Sequence, residues 1–75
     1  MTLYNLNSVP TGMFCRIKWL TGKIADTFRD SFLLCEDTDL FVISNNGKGG
    51  MIVGYGNRRL AMSRDAADHI RVECA

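Results

Sequence analysis

The stretch Met51-Ile-Val-Gly-Tyr-Gly-Asn-Arg-Arg-Leu-Ala-Met-Ser-Arg-Asp-Ala-Ala-Asp-His-Ile-Arg-Val-Glu73 allows few folds. Apolar runs at 51–53 and 60–62 flank a Gly-Tyr-Gly-Asn turn, which predicts a β-hairpin. Ile70 and Val72 alternate with Arg71 and Glu73, as in a strand with one buried face. Between hairpin and strand, Ser63 has N-cap chemistry for a helical turn over 64–69. Its hydroxyl can accept from the amide of Asp65 or Ala66, and Asp65 places negative charge where a helix start favours it. Ala66 and Ala67 are small enough to let that turn lie close on a sheet. Strand, turn, strand, helical turn and closing strand make this part of the chain mainly β.

The remainder supplies the other elements. Leu3 and Leu6 alternate with polar residues in a lead-in segment, and Ser8-Val-Pro-Thr-Gly12 brings turn chemistry, Pro10 fixing φ and Gly12 permitting a positive one. Residues 13–19 predict a half-buried strand, with Met13, Cys15, Ile17 and Trp19 on the core face and Phe14, Arg16 and Lys18 on the wet one. Thr21-Gly22 breaks it, and Thr21 is placed to cap a helix over 23–34. There Ile24, Phe28 and Phe32 recur every fourth residue beside Ala25 and Cys35, while Asp26, Arg29 and Asp30 take the solvated face. The apolar run at 40–43 predicts a strand buried on both faces, and the turn over 45–50 leads into the hairpin. The whole is a single domain over 1–75. Its fold class is mainly β, a small SH3-like barrel of about five strands with one inserted α-helix and a short helical turn before the last strand.

A chain of 75 residues buries a thin core, and 47% apolar residues are enough to order it. The longest apolar runs, residues 32–35 and 40–43, are far short of the roughly 20 residues a membrane helix needs. The N-terminus lacks the basic-then-apolar layout of a signal peptide, so a cytoplasmic protein is expected. A net charge of +1 sets up no field to gather nucleic acid or anionic lipid. Three cysteines, at 15, 35 and 74, form no Cys-x-x-Cys and fit neither a disulfide framework nor a zinc knuckle. Cys15 and Cys35 lie in apolar runs and read as small buried hydrophobes, whereas Cys74 is near an exposed end and could react.

No motif for catalysis emerges. The five glycines between 47 and 56 have neither the Gly-x-Gly-x-x-Gly nor the Walker spacing, since Tyr55 stands where a phosphate-loop lysine would be, so they read as turns and bulges. His69 has no His or Glu partner at helical spacing, and Asp65 is its local neighbour. Asp26, Asp30, Glu36, Asp37 and Asp39 could offer oxygen ligands to Fe2+ or another divalent metal, yet without a metal-loop pattern they read as a solvated helix face and loop. No cofactor is expected, and no Ser/His/Asp or Cys/His set assembles from the spacing, so no enzyme is expected. Phe14, Arg16 and Lys18 with Arg58 and Arg59 form the only aromatic and basic interleaving, and the near-neutral net charge argues against nucleic acid.

Leu60, Ala61, Met62, Ala66, Ile70 and Val72, together with the opening Thr2-Leu3-x-x-Leu6 and Pro10-x-Gly12, resemble the FeoA family of accessory proteins of bacterial ferrous iron transport. The resemblance covers nearly the whole chain. FeoA-like chains usually carry Leu-Gly at the end of the inserted helix and Pro-Gly before the next strand; here those places hold Phe32-Leu33-Leu34 and Glu36-Asp37. The resemblance implies a non-enzymatic protein that docks on the cytosolic side of the FeoB transporter, touching the membrane only through that partner, with weak self-association a further possibility. It places the contact on the inserted helix and adjoining turn. Phe28, Leu33, Leu34, Arg58 and Arg59 are the candidate contact residues, and because Leu33 and Leu34 cannot both enter one core, one of them is expected to be exposed. Two other readings stand beside this: the SH3-like module of a DtxR-type metal-dependent repressor, against which Met1 directly before the family's opening speaks, and a small metal-binding protein using Cys74 and His69.

Overall fold

A computed structural model describes residues 2–74. Six strands form one sheet: β1 (Tyr4–Asn5), β2 (Phe14–Leu20), β3 (Asp39–Asn45), β4 (Met51–Tyr55), β5 (Arg58–Met62) and β6 (Ile70–Cys74). They run in the order β1-β6-β2-β3-β4-β5 with every pairing antiparallel, bent around one core as the SH3-like barrel expected. Helix α1 (Ile24–Ser31) is inserted between β2 and β3, and a single turn, α2 (Arg64–Ala67), precedes β6. The lead-in segment adds a sixth, two-residue strand on the free edge of β6, followed by a 3₁₀ turn over Leu6–Ser8. Among the described residues no helix is long and apolar enough to cross a membrane.

The C-terminal third forms as its residues dictate. β4 and β5 pair from Met51 opposite Met62 to Tyr55 opposite Arg58, leaving a two-residue turn whose first residue, Gly56, has φ of 56°. Glycine there suits a hairpin turn that follows the twist of its strands. The Ser63 hydroxyl accepts from the amide of Ala66 at 3.1 Å, capping α2, and Ala67 is fully buried beneath the sheet.

Two strands differ from what their residues predict. Between Ile17, opposite Val72, and Trp19, opposite Arg71, the register of β2 against β6 slips by one residue. This bulge inverts the facing of the last two residues of β2, so Leu20 turns into the core and Trp19 is 58% exposed. β3 is buried on one face only: Leu40 and Val42 are core, whereas Phe41 and Ile43 are half-buried on the outside.

α1 is shorter than the apolar stripe. Its N-cap position is Lys23, with no side-chain cap, and the Thr21 hydroxyl instead donates to the His69 carbonyl at 3.3 Å. Ala25 and Phe28 enter the core. The helix ends without glycine: Phe32 is followed by Leu33 at φ 57°, and the Leu34 amide turns back onto the Phe28 carbonyl at 2.8 Å. Asp37, at φ 70°, makes the second left-handed turn and donates its amide to the Ile17 carbonyl. Leu33 and Asp37 are the two positive-φ residues other than glycine among those described. A side chain thus bears the strain of each left-handed turn, about 1–2 kcal/mol per residue. Cys35, expected in the core, lies past the shortened helix and is exposed, with its Sγ 3.6 Å from the Thr38 hydroxyl.

Asn45 ties the N-terminal loop to the barrel. Its Nδ2 donates to the carbonyls of Asn7 (3.0 Å) and Val9 (2.7 Å), and its Oδ1 accepts from Arg64 (3.3 Å). Asn45→Ala is expected to lower stability by about 1–3 kcal/mol, because two part-buried carbonyls lose their donor. Urea unfolding measures the change.

Acid stability depends on a second junction. Asp68 accepts from Asn5 at 2.9 Å and Asn7 at 2.7 Å, and these hydrogen bonds hold its carboxyl below the usual range. Arg29 does the same for Glu36 and Arg16 for Asp39. A carboxyl whose pKa is lower folded than unfolded stabilises above its unfolded value and loses that contribution as pH falls through the folded one. The melting temperature is therefore expected to begin falling below about pH 4. In Asp68→Asn it should start lower at neutral pH and fall less steeply in acid.

Candidate functional site

The five candidate contact residues separate into two groups. Phe28 and Leu34 are core side chains, Leu34 with 0% exposure, so neither can belong to a contact face of the folded domain. The reason is the reversal at Leu33: turning the chain back through a left-handed residue points Leu34 inward and Leu33 outward, leaving Leu33 56% exposed. Arg58 and Arg59 are exposed at the start of β5.

Tyr55 brings the helix exit and the hairpin together. Its hydroxyl donates to the Phe32 carbonyl at 2.7 Å, so the chain entering Leu33 is fastened to the end of β4, directly opposite Arg58. Leu33, Tyr55 and Arg58 thus share one end of the barrel. From there the outer face of the sheet continues as the cross-strand row Phe14, Phe41, Gly54, Arg59. Phe14 and Phe41 stack at 4.7 Å between ring centroids, tilted by 51°, and Phe14 is 65% exposed. Ile43 fills the space that Gly54 leaves: a Cβ at Gly54 would come within 3.2 Å of its δ carbon. The result is a shallow groove with an aromatic and aliphatic floor and two arginines along one side. Phe14 and Phe41 are not among the contact residues that the sequence suggests; the available signal is an aromatic residue on the wet face of β2 among Arg16 and Lys18.

The charged groups beside this face are largely paired. Arg16 donates to Asp39 at 2.8 Å, which raises the pKa of the guanidinium and lowers that of the carboxyl, and Lys18 lies 3.2 Å from Asp37. Asp26 and Glu36 both meet Arg29, at 3.8 and 2.9 Å. Four of the five acids weighed as iron ligands therefore face cations rather than one another, and among the described residues no group of three or more His, Cys, Asp or Glu side chains converges on a point. His69 lies against Gly22, where a Cβ would come within 3.0 Å of its Nδ1. What the outer face offers is apolar contact area with arginines free of any ion pair among the described residues, a composition suited to a protein surface.

No model of a known family matches the sequence, and no characterised protein matches it in a sequence comparison. Solved structures do match. An iron uptake regulatory protein, FeoA, superposes with a TM-score of 0.85 at 20% identity, covering 99% of this chain and 100% of that one. A manganese-dependent transcriptional repressor gives 0.86 at 16% identity, with 97% of this chain covering 42% of the repressor. T. acidophilum IdeR gives 0.83 at 19% identity over all of this chain and 35% of its own. At such identities the likeness is one of fold, and the fold is an FeoA-like SH3 barrel.

Proposed function

We propose that this chain is a non-enzymatic accessory protein of ferrous iron uptake that works in the cytoplasm and docks on the FeoB transporter through the face containing Leu33, Arg58 and Arg59. The observation that carries the proposal is Leu33. A large apolar side chain stands more than half exposed on a left-handed residue where glycine would be free of strain. Strain and exposed apolar surface both disfavour leucine in the isolated domain, and a partner that covers the side chain offsets both. Its neighbours support the same reading: Tyr55, held on the helix exit, and Arg58 are of the residue types that anchor protein interfaces. The likeness of fold to an FeoA supports the iron-uptake reading. The likeness to the repressors supports the second reading, a regulatory module acting beside a DNA-binding region.

Leu33→Gly separates stability from function. Relief of the left-handed strain, less the greater chain entropy of glycine, should raise stability by about 1 kcal/mol and the melting temperature by about 4–8 °C. Ferrous iron uptake by cells in which this variant replaces the native chain should fall toward that of cells lacking the chain. Uptake at the native level would place the docking face elsewhere.

A further inference from the structure

Cys15 in β2 and Cys74 in β6 stand directly opposite each other. The amide of Ile17 donates to the Thr38 carbonyl at 2.9 Å and its carbonyl accepts from Asp37, so the backbone groups of Ile17 face β3. The register against β6 is regular from Cys15 to Ile17, which puts the backbone groups of Cys15 on that same side, away from β6. Cys15 and Cys74 are therefore a non-hydrogen-bonded pair, the kind in which Cα atoms lie about 4.5 Å apart and side chains approach most closely. A disulfide spans Cα separations of about 4.4–6.8 Å, so the pair can be bridged without moving either strand.

The two thiols differ in access. Cys15 is buried, and burial first, with the neighbouring Cys74 second, pushes its thiol up to about 12. Cys74 is half-buried and opens on two surface pockets, one shared with Phe14, Arg16, Glu73 and Cys15 itself, the other with Tyr4, Pro10 and Met13. Cys35 sits apart, against Thr38.

We propose that Cys15 and Cys74 are a redox-active cross-strand dithiol that closes to a disulfide when the protein meets hydrogen peroxide. The accessible thiolate of Cys74 attacks one peroxide oxygen, the O–O bond breaks, and a sulfenic acid and hydroxide form. Cys15 then attacks the Cys74 sulfur, the Sγ–Sγ bond forms, and the sulfenic oxygen leaves as water with the Cys15 proton. Two thiols and one peroxide yield one disulfide and two waters, with two electrons passing from sulfur to oxygen. The bond fastens the last strand to β2 and closes a loop spanning most of the chain, which should raise the melting temperature by about 10 °C or more. A dithiol reductant reopens it.

The test is oxidation of the full chain with hydrogen peroxide, followed by thiol titration in denaturant, peptide mapping and a melting curve. The three free thiols should fall to one, with a Cys15–Cys74 peptide, a raised melting temperature and reversal by dithiothreitol. In Cys35→Ser both remaining thiols should disappear together. In Cys15→Ser, Cys74 should stop at the sulfenic acid and be trapped by dimedone. Oxidation confined to Cys35, or loss of Cys74 while Cys15 stays titratable in Cys35→Ser, would overturn the proposal.

Discussion

Leu34→Ala is expected to destabilise the domain by about 2–5 kcal/mol, enough to leave a barrel of this size marginally folded at 37 °C. Leu34 is wholly buried, and its amide closes the helix exit onto Phe28. Truncation leaves a cavity in a core, sixteen residues among those described, that is lined by strands as well as by α1, so little can collapse to fill it. The adjacent Leu33→Ala is the control: it removes a side chain of the same size that solvent already covers for more than half, and should cost less than about 1 kcal/mol. Urea midpoints of the two variants, measured side by side, check the inward and outward assignment at the helix exit. Equal losses would mean that the chain does not reverse at Leu33.

Gly50→Ala is expected to be nearly as damaging, at about 2–3 kcal/mol, for the opposite reason. A Cβ at Gly50 would lie well inside van der Waals contact distance of the Met62 carbonyl oxygen and 3.1 Å from its carbonyl carbon. Both are backbone atoms of the β4–β5 pairing at Met51 opposite Met62, just before the Ser63 cap, so relief requires strand ends to separate. At Gly49 nothing lies within 4 Å of an added Cβ, and its φ is not positive. Gly49→Ala should therefore melt within about 0.5 kcal/mol of the native chain. A circular dichroism melt distinguishes the two, and a native-like Gly50→Ala would refute the close approach of β4 to β5 at this end.

The elements that local chemistry dictates were legible in the sequence. The Gly56 turn and the Ser63 cap each depend on near neighbours, and each forms; of the 3.6-residue stripe, Ile24 and Phe28 fall in α1 while Phe32 lies past its end. What was not legible depends on partners far along the chain. The bulge after Ile17 arises from pairing with β6, and it alone reverses Trp19 and Leu20. A second slip, between Val42 and Ser44, arises in the same way from pairing with β4. The helix exit was half legible: two adjacent leucines required one to face out, but only the left-handed turn at Leu33 decides which. Cys15 and Cys74 become neighbours through strand order, and no spacing in the sequence anticipates that. The Phe14–Phe41 pair of the groove arises likewise from the register of β2 against β3.

The most direct test of the account is binding of the purified chain to FeoB in nanodiscs, with and without guanine nucleotide, for the native protein and for Leu33→Glu. Saturable binding of the native chain is expected in at least one nucleotide state. Leu33→Glu is expected to bind at least about tenfold more weakly with an unchanged melting curve, as loss of a contact worth about 1.4 kcal/mol would give. Failure of the folded native chain to bind in any nucleotide state would contradict the account.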